Sequence, residues 1–296
     1  MSRKLTTLAA AGLLSLSAAA PALAGSVTQP GETVGVAAGA PLPPGVYYVN
    51  TSDYGCRDTQ PPTVCTALTI PVVAWSTPAT LLGARLQFLV ATPAVFVAVE
   101  NTPSSSGMFN PLVSGQLAWD LGNGWGFSYL LGAYLDVHTN VAFSSTSLNQ
   151  RFALSYTADG WNLTANLIWG IHLDSVTDRP QLSPCPSPFL LRGCNPNFVN
   201  LDLTATKKVD KWEFGPVAFG STDLTRPIAG YLKQSQFAVG GLIGYDFGPV
   251  TLQAYVTTDV AENNSGGRDT RGWGRIILPL GQLFERPAPT PIVRKY

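Results

Sequence analysis

A chain of 296 residues with 18 basic and 18 acidic side chains carries no net charge, which removes the basic patch expected of a nucleic-acid-binding protein. Charged residues make up only 12% of the chain, about half the share of a soluble domain, while 29 Gly and 24 Pro provide for many turns. A surface this weakly charged suits lipid better than water.

Arg3 and Lys4, an apolar stretch from Leu5 to Ala20, and Ala22-Leu23-Ala24 have the charge, length and cleavage pattern of a secretory signal peptide over residues 1–24. A retained anchor helix is the alternative, but it needs about 20 apolar residues. Loss of Arg3 and Lys4 leaves 16 basic against 18 acidic residues, a net charge of −2. Residues 25–44 are rich in Ala, Gly and Pro with little periodicity, and read as a periplasmic tail or a segment in contact with a lumen.

From Val46 onward, runs of about ten residues alternate apolar and polar positions, the mark of strands exposed on one face. The candidate spans are 46–54, 66–75, 84–99, 113–120, 126–137, 150–158, 161–172, 198–206, 212–220, 236–246, 250–259 and 272–280. In 161–172, Leu163, Ala165, Leu167, Trp169 and Ile171 oppose Asn162, Thr164, Asn166 and His172. Short connections alternate with long ones, as in outer-membrane barrels with tight periplasmic turns and longer external loops. Trp75, Trp119, Trp125, Trp161, Trp212 and Trp273 fall near strand ends and suggest interfacial girdles. The expected fold is all-β, a transmembrane antiparallel up-and-down barrel of about 12 strands over residues 45–280, followed by a Pro-rich tail over 281–296.

Alternation assigns polar positions to the interior. The candidate pore-lining residues are Arg85, Gln87, Gln116, Asp136, Arg151, Asn166, His172, Asn200, Asp202, Gln253, Tyr255, Asp259 and Arg275, with Leu130, Tyr134 and Ile168 as apolar members. Four cysteines lie in predicted external loops. Local pairing, Cys56 with Cys65 and Cys185 with Cys194, is the simplest of three connectivities in an oxidising compartment. His138 near Asn140, Ser144 and Ser145 permits a hydrolase reading, although the spacing matches no nucleophile motif. Asp259, Glu262, Asn263, Asn264 and Asp269 form an oxygen-rich loop whose spacing is not that of a calcium loop. No cofactor or metal motif is present in the sequence.

Three segments carry a family resemblance: Leu42-Pro43-Pro44-Gly45-Val46-Tyr47-Tyr48, Tyr156-Thr157-Ala158-Asp159-Gly160-Trp161-Asn162-Leu163-Thr164-Ala165, and Ile243-Gly244-Tyr245-Asp246-Phe247-Gly248-Pro249. In this order they resemble an outer-membrane channel family named for the meta-pathway of phenol degradation, over about residues 42–280. The resemblance implies a monomeric twelve-stranded barrel in outer-membrane lipid. It would conduct bulky, rather hydrophobic small organic molecules by diffusion, with no enzymatic activity and no cofactor. The loop cysteines and the Pro-rich tail depart from that pattern. A plugged barrel with a binding or structural role is the alternative expectation, and an outer-membrane hydrolase the third.

Overall fold

The computed structural model describes residues 26–57, 63–143, 145–173, 195–227 and 231–281. The expected signal peptide, Ser144, Cys185, Cys194 and most of the Pro-rich tail lie outside the described residues.

Fourteen strands are described: β1 (Gly45–Arg57), β2 (Val64–Leu81), β3 (Ala84–Ala91), β4 (Ala94–Val99), β5 (Ser105–Met108), β6 (Leu112–Gly122), β7 (Trp125–Tyr134), β8 (Ser147–Tyr156), β9 (Trp161–His172), β10 (Phe198–Val209), β11 (Trp212–Asp223), β12 (Ser235–Asp246), β13 (Thr251–Asn263) and β14 (Asp269–Gly281). Twelve of them form one antiparallel ring, closed because β1 pairs with both β14 and β2. Closure leaves the ring itself no open edge, which the hydrocarbon core of a membrane demands of any sheet that crosses it.

Two departures from the sequence expectation each have a local cause. The span 84–99 is two strands, because the Thr92-Pro93 step breaks the ladder; Pro93 has no N–H to donate. Its carbonyl instead accepts the N–H of Phe109 at 2.8 Å. Beyond that break β4 follows the upper part of β2 and pairs with β5, inside what reads from sequence as the loop 100–112. The span 126–137 ends early, at Tyr134. Asn110, fully buried, holds the following chain inward by donating to the carbonyls of Leu135 and Phe143 at 2.9 and 2.8 Å.

The short connections are tight. Leu82-Gly83 and Asn123-Gly124 each place two successive residues in the left-handed region, the geometry that matches the twist of hairpin strands. Beside these turns sits an aromatic belt: Trp125 against Tyr156 at 5.1 Å, Trp212 against Tyr245 at 4.7 Å, and Trp119 against Phe127 at 5.7 Å. Trp273 does not belong to it. It is buried inside the ring, stacked on Tyr255 at 5.0 Å, because it shares a strand face with Arg275 two residues on.

The wall is inside-out relative to a soluble protein. Leu163, Leu167 and Trp169 of β9 face outward and are exposed, while Thr164, Asn166 and His172 are buried. On β13, Leu252, Ala254 and Val256 are exposed and Gln253, Tyr255 and Asp259 are buried. An apolar outer face and a polar inner face are what lipid outside and a polar lumen inside require.

Candidate functional site: the barrel interior

The interior is occupied by the protein's own N-terminal segment. Residues 26–40 descend inside the ring from the long-loop end toward the short turns, and β1 then climbs back as part of the wall. Near the top, Asn200 donates to Ser26 Oγ at 2.9 Å and to the Thr28 carbonyl at 3.1 Å. Lower down, the Asp202 carboxylate accepts the N–H groups of Gly31 and Thr33 and the Thr33 hydroxyl at 2.9, 3.0 and 2.6 Å. Further down still, the Gly35 N–H donates to Thr204 Oγ1 at 2.7 Å, and Ser128 Oγ donates to the Ala38 carbonyl at 2.7 Å. The low side-chain volume of the segment has a use here. A Cβ on Gly39 would stand 2.6 Å from Ser155 N and 2.8 Å from the carbonyls of Ala153 and Gly126.

Two arginines complete the clamp. Arg275, 2% exposed, donates through Nη1 to the Val34 carbonyl at 2.5 Å and through Nη2 to the Glu32 carbonyl at 2.6 Å. Its Nε reaches Thr51 Oγ1 at 2.8 Å, so one side chain ties the segment to β1. Arg151 pairs with Glu32 at 2.8 Å. The residues that bind the segment are thus charged, amide or hydroxyl groups, and the segment gives them partners in a lumen where an orphaned group is costly.

Eight of the thirteen residues selected by alternation touch the segment directly: Gln116, Arg151, Asn166, Asn200, Asp202, Gln253, Tyr255 and Arg275. The bonds described for the other five lie elsewhere. Gln87 is buried against Ser76 at 3.3 Å, and Arg85 donates to the Thr77 carbonyl beside the short turns. His172 Nδ1 lies 2.6 Å from the fully buried Ser147 Oγ. Asp259 accepts the Asp269 N–H at 2.9 Å, and Asp136 lies half-buried beyond the end of β7. His138 is exposed. In the oxygen-rich loop Glu262 accepts the Ser265 N–H and Asp259 that of Asp269, while the Asp269 carboxylate pairs with Arg271. Among the described residues no group of three metal-ligating side chains forms.

Above the segment, toward the long loops, lies a cavity of about 70 Å³ with two unlike walls. One is apolar, from Leu68, Ile70, Val95, Phe109, Tyr134 and Phe143. The other is charged, from Arg57, Gln236, Asp259, Asp269 and Arg271. Arg271 is ion-paired with Asp53 and, at 2.7 Å, with Asp269. Alternation reaches Asp259 on this wall but meets the other charged members only if the strands run one to three residues further. Arg57, Asp269 and Arg271 lie beyond the spans 46–54 and 272–280, yet keep their parity. Cys56 and Cys65 face each other across β1 and β2 beside this rim and are disulfide-bonded, as local pairing predicts.

A closed antiparallel ring, greasy outside and polar within, is an outer-membrane β-barrel. Residues 32–276 match the family described as "Putative MetA-pathway of phenol degradation", and the chain belongs to that family. Among solved structures, the chain is similar to an outer membrane channel from Pseudomonas putida F1, with a TM-score of 0.58 and 14% identity over 81% of this chain and 97% of that one. It is also similar to the NanC porin, with a TM-score of 0.50 and 12% identity over 79% of this chain and 100% of that one. At such identities the likeness is one of fold. A comparison with curated protein sequences finds no match.

Proposed function

We propose that this protein is a bacterial outer-membrane channel through which small, bulky or hydrophobic organic molecules diffuse passively. It acts as a monomer, with the short turns facing the periplasm. The observation that carries the reading is the combination of a twelve-stranded ring with an interior element that is not part of the wall. Twelve strands enclose more room than eight, whose side chains alone fill the interior. Here the remaining room is taken by residues 26–40, which run on into β1 but are held to the rest of the wall by side-chain hydrogen bonds and the Arg151–Glu32 pair rather than by strand pairing. Passage requires that this segment yield, and the candidate lining is then the eight polar residues from Gln116 to Arg275 that it now covers.

Uptake of small organic solutes into proteoliposomes tests the reading. Entry above that of protein-free vesicles, increased by deletion of residues 26–40, is expected; entry equal to the protein-free rate in both forms contradicts it. The second reading, a permanently plugged binding barrel, draws on the same clamp around the segment. It predicts no entry for the full chain and an intact, heat-modifiable barrel.

A further inference from the structure

Residues 26–40 carry a single charged side chain, Glu32, and its carboxylate pairs with Arg151 of the wall at 2.8 Å. We propose that this pair is a ligand site kept closed by the protein's own carboxylate: Arg151 binds a small organic molecule with one carboxylate on an apolar body, and that molecule displaces Glu32. Calling the molecule a cargo rests on the channel reading; its binding does not.

Arg151 is prepared for a carboxylate. Its side chain is 11% exposed and that of Glu32 9%, so water and salt screen the pair poorly. Nε donates to Asn149 Oδ1 at 2.8 Å and Nη2 to the Tyr134 hydroxyl at 3.2 Å, and these neutral groups on β8 and β7 fix the plane of the guanidinium. Among the described residues Glu32 is the one carboxylate within ion-pair distance of it. When the segment withdraws, that anion leaves with it, and Arg151 keeps only neutral partners. A buried charge without its counter-ion is strongly unfavourable, and a second carboxylate restores the balance. The fields of Asp202 and Arg275 also reach this point. They act on any carboxylate there as they act on Glu32, so exchanging one for the other leaves the charge of the lumen as it was.

The apolar body follows from what lies beside the pair. Glu32 and Tyr134 line the cavity toward the long loops, whose apolar wall includes Ile70, Phe109 and Phe143. A molecule whose carboxylate takes the place of Glu32 lays the rest of itself along that wall. The cavity as it stands, about 70 Å³, is below the ~150 Å³ that holds a benzene ring, so such a molecule enters only as the segment retreats. Binding and segment docking therefore exclude each other. A cation meets Arg151 as a like charge, and an uncharged molecule leaves Arg151 unpaired once Glu32 has gone. Tethered Glu32 competes at a high effective concentration, so the affinity of the site shows in full only when that side chain is made neutral.

The test is calorimetric titration of the full chain in lipid nanodiscs, with empty nanodiscs as the baseline for partitioning and amide exchange over residues 29–36 as the second readout. The probes are cyclohexanecarboxylate, cyclohexanol and cyclohexylammonium. Saturable binding of cyclohexanecarboxylate is expected, about tenfold tighter than that of the other two, with segment exchange rising as the site fills. Glu32→Gln should tighten carboxylate binding by about tenfold, with exchange already raised before the probe is added. Arg151→Met loosens the segment in the same way but should abolish carboxylate binding. A merely structural pair would move both variants in the same direction. Heat-dependent gel migration certifies each variant as a closed barrel, and Arg151→Gln replaces Arg151→Met if that one does not fold. Equal or tighter binding of cyclohexanol or cyclohexylammonium overturns the site, as does carboxylate binding that leaves segment exchange unmoved. So does binding that Glu32→Gln fails to tighten, binding that survives Arg151→Met, or no saturable signal from the parent. Solute entry into proteoliposomes is measured apart. Entry without carboxylate binding refutes the site alone, and binding without entry refutes the channel alone.

Discussion

The two ends of the barrel interior are built on different principles. Toward the short turns, the lumen is filled by backbone: glycine and alanine of the N-terminal segment lie so close to the wall that Gly39 and Gly126 leave no room for a Cβ. Toward the long loops, it is filled by side chains, with an aromatic and aliphatic cluster around Phe109, Phe143 and Phe198 on one side and an ionic network around Arg271 on the other. Backbone packing against polar side chains makes a seal of many directional bonds that release together. Side-chain packing leaves a cavity with one apolar and one charged wall. The difference separates a stretch of lumen closed by backbone from one lined by side chains.

Substitutions at the seal should separate these two properties. Asp202→Ala removes three hydrogen bonds and leaves the N–H groups of Gly31 and Thr33 unpaired. We expect a loss of about 3 kcal/mol in docking of the segment. That appears as a rise of roughly a hundredfold in amide exchange over residues 29–36, with the barrel intact on gels. Arg275→Leu leaves the carbonyls of Glu32 and Val34 without their donor, and the same exchange measurement should register roughly 2 kcal/mol. Gly39→Val presses a branched side chain into wall backbone that cannot retreat. It should loosen only the lower part of the segment by roughly 1–2 kcal/mol, leaving exchange around Thr28 as it was. The smallest effect falls at the other end. Reduction of Cys56–Cys65 should admit protease to the connection between β1 and β2 while segment exchange and barrel migration do not change. A change in segment exchange on reduction would join the two regions that the account keeps apart.

Much of the wall was legible before any coordinates, because a strand between lipid and a polar interior prints its two environments on alternate residues. Asn166, Asn200, Asp202 and Gln253 are found inside on that ground alone. Trp273 shows the cost of setting the pattern aside. Its place near a strand end suggested a girdle, yet it shares parity with Arg275 and is buried. Arg57, Asp269 and Arg271 escaped because the spans stopped at the first turn-like residues, although the ladder continues through Arg57 and from Asp269. The segment 26–40 could not be placed by periodicity. Its contacts are made largely by its own N–H and carbonyl groups, which every residue possesses, so its sequence records only that its side chains are small. The inward turn after Tyr134 depends on Asn110, a contact across 25 or more positions that no local pattern carries.

The central claim is that residues 26–40 stand in the path of the cargo and must move for it to pass. Thr33 Oγ1 and Asn166 Nδ2 are 2.9 Å apart, which marks the place to lock the segment to the wall. Planar-bilayer current from the double variant Thr33→Cys with Asn166→Cys, before and after oxidative crosslinking and beside each single variant, is the most direct measurement. The account predicts that the crosslink forms and silences the current, while the single variants, each of which removes a hydrogen bond of the clamp, conduct at least as well as the parent. Failure of the crosslink to form, or a crosslinked barrel that conducts like the parent, would contradict it.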